Sequence, residues 1–85
     1  MSPTRQPPST AAFGERVRTL RRAAGLSQEQ LGQLAGLHRT YVSALELGTR
    51  NVGLRGIVRL ATALGVDPAD LVAGLTPDPP PPRPH

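Results

Sequence analysis

The chain contains no cysteine and no lysine, and nine of its ten prolines lie outside the stretch from Ala12 to Leu75. Without cysteine there is no disulfide framework, which agrees with a reducing, cytoplasmic setting. No apolar run is long enough for a membrane span, and the opening "MSPTRQPPSTAAFGE" lacks the apolar segment of a signal peptide. His38 is matched only by His85 near the far end, so no pair of histidines stands at metal-binding spacing, and no glycine-rich phosphate loop is present. Each acid of the central region has a capping, pairing or solvated role open to it, so none is read as catalytic. An enzyme is not expected, nor a cofactor, a metal ion or a small-molecule ligand.

What the chain does have is arginine. Its 85 residues hold ten basic groups, all arginine, against six acids, for a net charge of +4. Eight of those arginines and five of the acids fall between Ala12 and Leu75, so the foldable region carries +3 by itself. That balance favours a polyanionic partner such as nucleic acid. Residues 1–11, rich in Pro, Ser and Thr, and residues 76–85, "TPDPPPPRPH", have no periodic apolar positions and are expected to be disordered tails, the second with polyproline II character. The domain is therefore expected over residues 12–75. A core that small buries only about 60% of its chain surface, which makes self-association a reasonable expectation.

Five helices can be read between the tails. The first spans about Ala12 to Ala24, with Phe13, Val17, Leu20 and Ala24 at helical spacing. The second opens with "SQEQL", in which Ser27 can cap the helix and Gln30 can return the bond, and it continues with Leu31, Leu34 and Ala35 on its apolar side. Gly36 closes it. A third helix from about His38 to Leu47 sets Val42 and Leu45 on one face and Thr40, Ser43 and Ala44 on the other, with Arg39 at its leading end. In "LRGIVRLATAL", Leu54, Ile57, Ala61 and Leu64 form the clearest buried stripe. The lack of a Ser or Thr cap at Gly53, together with Gly56 in the helix interior, suggests a late or frayed start. In the fifth helix, "DPADLVAGL", Asp67 caps, Pro68 takes the first position and Leu71 and Leu75 face inward.

Gln28 to Leu47 thus forms two short helices across a very short connection, with small Gly32 where they would cross and Gly36 in the turn. The stretch "LSQEQLGQLAGLHRTYVSALELGTRNVGLRGIVRLATALGV" resembles the phage-repressor (Cro/cI-type, XRE-type) DNA-binding domain, and the likeness covers roughly Phe13 to Leu75. Within that family, "HRTYVSALELGTRNVGL" is most similar to the controller regulators of restriction-modification systems. The resemblance implies an all-α, compact five-helix, lambda-repressor-like fold. It also implies a sequence-specific transcription regulator that binds a palindromic operator on double-stranded DNA as a homodimer, with the helix at about 38–47 in the major groove.

The same resemblance places Arg39, Thr40, Ser43 and Ala44 on the base-reading face, where arginine suits guanine and an alanine methyl suits thymine. It assigns phosphate contacts to Ser27, Gln28, His38, Arg50 and Asn51. It also pairs Arg21 with Glu46 between the first and third helices, although Arg22 is a second candidate partner. Tyr41 is read as a packing residue. The apolar Val66, Leu71, Val72 and Leu75 are expected to form the dimer interface, where many small members of the family pair. Leu47 departs from the family pattern, standing where a polar or basic residue is common. With the proline tail, it speaks for the alternative of an antitoxin-like protein-interaction module on the same fold.

Overall fold

The computed structural model describes residues 8–77, and of the tails expected at 1–11 and 76–85 the parts at 1–7 and 78–85 lie outside that range. Five helices follow one another: α1 Pro8–Ala23, α2 Gln28–Ala35, α3 Arg39–Glu46, α4 Leu54–Leu64 and α5 Pro68–Val72. Each is followed by a glycine at positive φ, namely Gly25, Gly36, Gly48, Gly65 and Gly74. The turns are therefore set where the glycines fall.

The core is the sum of the inner stripes. Val17, Leu31, Val42, Leu45, Leu60 and Leu71 are fully buried, with Phe13, Ala35, Ala61 and Leu64 closing around them. A buried side chain of this size contributes about 1.5–3 kcal/mol. α1 packs on α3, α2 is held between α3 and α4, and α5 lies against α4 and α1. Among the described residues no helix is long and apolar enough to cross a membrane.

Helix α1 begins at Pro8, so residues 8–11, expected in the tail, are helical. Proline is well placed in a first turn, where its missing N–H would have had no partner. At the other end Ala24 lies beyond the helix and is exposed.

Helix α4 starts cleanly at Leu54, contrary to the expected late start. Gly53 makes no side-chain cap. Instead Val52, just outside the helix, lies back over Gly56, where a Cβ would collide with its Cγ2. Val52 and Ile57 line the same groove, in the arrangement of a hydrophobic staple. Gly56 thus makes room for the residue that starts the helix.

Two leucines expected inside are outside: Leu34 is 62% and Leu54 76% exposed. On α2 the line from Leu31 to Ala35 faces the core and leaves Leu34 to one side. On α4 the buried residues are Leu60, Ala61 and Leu64, so the first turn extends past the core. Leu71, assigned to the dimer interface, is fully buried inside the single chain and cannot serve there. Helix α5 is also shorter than expected and leaves Leu75 beyond its end.

Two close approaches fix the helix angles. A Cβ on Gly32 would sit 2.5 Å from the Leu37 carbonyl oxygen, which is how α2 folds tightly onto its own turn. A Cβ on Gly14 would collide with the carbonyl oxygens of Leu45 and Glu46, so α1 crosses the end of α3 backbone against backbone. Gly14→Ala is expected to lower stability by about 1–3 kcal/mol through overpacking, read as a reduced urea midpoint. An unchanged midpoint would contradict that crossing.

Candidate nucleic-acid interface

Three residues, Gly36 to His38, connect α2 to α3. Gly36 turns the chain at φ 71°, a left-handed conformation that costs glycine nothing. The N–H of Leu37 then donates back to the Gly32 carbonyl at 2.8 Å. With its Val42 and Leu45 side sunk in the core, α3 holds its opposite side outward. Thr40, Ser43, Ala44 and Leu47 follow at helical spacing along that outer side, and Arg39 is exposed at the first helical position.

The N-terminus of α3 is capped by His38, whose Nδ1 accepts from the Thr40 N–H at 3.2 Å. That nitrogen is then unprotonated, and the Thr40 hydroxyl, 2.8 Å from it, is the donor of the second bond. The hydroxyl oxygen keeps its lone pairs. Arg39 and His38 line a shallow hollow with Glu29, Gln33 and Leu37.

At the start of α2 the capping box is complete: the Gln30 N–H donates to Ser27 Oγ at 3.0 Å and the Ser27 N–H to Gln30 Oε1 at 2.8 Å. Beside it lies a notch lined by Arg18, Arg21, Arg22, Gln28, Ser43, Glu46 and Leu47. Arg21, not Arg22, meets Glu46. Its Nε donates to Oε2 at 2.6 Å and its Nη2 to Oε1 at 3.1 Å, while Nη1 donates to the Leu26 carbonyl at 2.7 Å. Gln28 Nε2 also donates to Glu46 Oε1, at 3.2 Å. The hydrogen bond to Glu46 holds the Arg21 guanidinium above its ordinary pKa against the opposing effect of burial. It therefore stays charged across any working pH, and the stability it contributes would fade only at more alkaline pH still.

The loop after α3 is pinned from within. Thr49 donates both its N–H and its hydroxyl to the Ala44 carbonyl, at 3.0 and 3.1 Å. Tyr41 is half-buried, as a packing residue should be, and its hydroxyl donates to the Asn51 carbonyl at 2.8 Å. Asn51 Oδ1 accepts from the Val52 N–H at 2.9 Å, which turns that side chain onto its own loop and leaves the amide nitrogen as its donor. Arg50 is exposed beside it. Among the described residues no three of His, Cys, Asp or Glu come together to hold a metal ion.

The structure thus gathers Arg39, Thr40, Ser43 and Ala44 on one helix, with Ser27, Gln28 and His38 at the two helix starts beside them. Arg50 and Asn51 sit on the loop beyond the end of α3. Sequence reasoning passed over Arg18 and took Arg22 only as a candidate partner of Glu46, yet their four-residue spacing puts both on one side of α1, the side that borders the notch. It also passed over Arg16, which caps α5 by donating to the carbonyls of Ala73 at 2.5 Å and Asp70 at 3.3 Å.

A helix-turn-helix domain family matches residues 12–74 of the chain. The control protein C.BamHI of Bacillus amyloliquefaciens is 49% identical over 61 residues, which are 71% of this chain and 75% of that one. The chain belongs to the XRE (Cro/cI-type) helix-turn-helix regulators. This regulator also superposes on the restriction-modification controller protein C.AhdI from Aeromonas hydrophila, at 53% identity and TM-score 0.72, over 73% of its own length and 94% of the other. The P22 c2 repressor, solved with a synthetic operator, gives TM-score 0.68 at 25% identity over 84% of this chain and 98% of that one. The regulator is therefore a DNA-binding homologue of the controller proteins, in a family that is not enzymatic.

Because Arg21 and Glu46 are both nearly buried, removing either strands the other. Arg21→Ala and Glu46→Ala should each cost about 3–5 kcal/mol in chemical unfolding, with strong coupling in a double-mutant cycle. Arg22→Ala, at an exposed position, should stay within about 0.5 kcal/mol of the parent. Coupling near zero would remove the pair as the link between α1 and α3.

Proposed function

We propose that this regulator binds an inverted-repeat operator as a homodimer, with α3 of each copy in the major groove. The observation that carries the reading is the outer side of α3. An exposed arginine at its first position and a narrow run of small side chains, Thr40, Ser43 and Ala44, stand beside an α2 N-terminus whose amides suit a phosphate.

Arg39 is the proposed guanine reader. Thr40, with its hydroxyl proton turned to His38, offers an acceptor, which fits the amino group of adenine or cytosine. Ser43 supplies a further hydroxyl, and Ala44 a methyl for thymine. Ser27, Gln28, His38, Arg50 and Asn51 flank this surface as backbone contacts, joined by Arg18 and Arg22 across the notch. Such a protein works where the DNA is, in the cytoplasm.

Selection of bound fragments from genomic DNA by the purified protein tests the reading and returns the site. Arg39→Ala should then relax the preference at one base step in each half-site, worth about 1–3 kcal/mol. Arg50→Ala should weaken binding to every sequence and flatten the logarithmic salt dependence by about 0.9 for each phosphate that is no longer neutralised. Recovery of fragments with no shared sequence would defeat the operator reading.

The dimer is assigned to the α4–α5 end through Val66, Val72 and Leu75, without the buried Leu71. Val72 is 40% exposed and Val66 and Leu75 are half-buried, so apolar surface remains there after folding. A two-fold pair would set the two α3 helices about 34–36 Å apart, spacing the half-sites by about 10 base pairs centre to centre. Val72→Asp should sediment as a folded monomer where the parent is a dimer. A dimer that survives this change but yields to Leu54→Asp, on the exposed first turn of α4, would move the interface there.

A further inference from the structure

We infer that Glu46 is a positioning residue for DNA binding, clamping the Gln28 side-chain amide at the start of α2 with its nitrogen turned into the notch. The inference rests on the proposal that Gln28 contacts the DNA backbone. Glu46 Oε1 accepts from both Arg21 Nη2 and Gln28 Nε2, at 3.1 and 3.2 Å. The reverse orientation of the amide would set its carbonyl oxygen against a carboxylate, acceptor against acceptor. The carboxylate thereby selects one of the two amide orientations and holds the long side chain in a single rotamer.

Two further features make this clamp useful to a phosphate. The second Nε2 proton remains as a donor at the helix start, where the first backbone amides of α2 also point outward. The negative charge of Glu46 is answered by the two-pronged pairing with Arg21, and the same notch is lined by Arg18 and Arg22. A carboxylate that would repel DNA on its own is therefore neutralised, and its remaining effect is orientation. Glu46 thus connects the support of the fold to the surface that meets DNA.

The test uses the full chain and a fluorescein-labelled duplex of mixed sequence, since backbone contacts carry no sequence information. Gln28→Ala and Glu46→Gln are measured singly and together by anisotropy, at a temperature where unfolding curves show every variant folded. Gln28→Ala should weaken binding. Glu46→Gln should weaken it about 2- to 10-fold, the cost of ordering one long side chain on binding, and should do nothing further in the Gln28→Ala background. A role through charge alone predicts the opposite sign, because removing a negative charge favours DNA.

If Gln28→Ala leaves affinity unchanged, the contact proposed for Gln28 fails and the positioning role falls with it. If Gln28→Ala weakens binding while Glu46→Gln is neutral, tighter or additive, the positioning role alone is overturned. An independent measurement needs no variant: nitrogen-15 relaxation of side-chain amides in the parent protein should show the Gln28 amide as ordered as the backbone and the exposed Gln33 amide mobile. Equal mobility of the two would overturn the inference.

Discussion

The bond between Arg21 and Glu46 is the constraint on which the placement of α3 depends. Three helices meet there: α1 supplies the guanidinium, α3 the carboxylate and α2 the Gln28 amide, while the remaining arm of Arg21 reaches the Leu26 carbonyl in the connection between α1 and α2. A lysine could not do this, since its single ammonium lacks the planar fork that serves two carboxylate oxygens and a carbonyl together. The buried carboxylate is tolerable only because each of its oxygens is satisfied.

Around that junction the structure uses arginine as a fastener as much as a surface charge. Arg16 ties the carbonyls at the end of α5 to α1, where the helix is too short to be stable by itself. Arg21 ties α1 to α3. Arg18 and Arg22 border the notch at the α2 start and Arg39 the hollow at the α3 start, while Arg50 is exposed on the loop after α3, so their charge is available to a polyanion. A net charge of +4 taken alone says little. Its division between fasteners and surface cations carries the functional meaning.

Much of this was legible in the sequence because the signals are local. The Ser27–Gln30 capping box, the Asp67–Pro68 start and the Gly36 turn act over four residues or fewer, and all appear where the pattern places them. The proposed base readers fall together for a related reason, since all four lie on a single short helix. What was missed depends on neighbours distant in the chain. Leu34 and Leu54 were misplaced because helical spacing says which residues share a face but not how far the facing helix extends, whereas Leu71 faces inward as its spacing requires and only its place in the dimer interface fails. The start of α4 was misjudged because the staple between Val52 and Ile57 replaces the missing polar cap. Gly14 carries no local signal at all, and only the carbonyls of α3 against it explain why no larger residue stands there.

That backbone crossing at Gly14 bears on how such a protein can change its target. The tilt of α3 is set from beneath, by main-chain atoms of Leu45 and Glu46 against α1, and by the leucine and valine on its inner side. None of Arg39, Thr40, Ser43 or Ala44 takes part in that support. Substitutions at those four positions, the proposed base readers, would leave that support in place, so a change of recognition sequence would not require a change of scaffold.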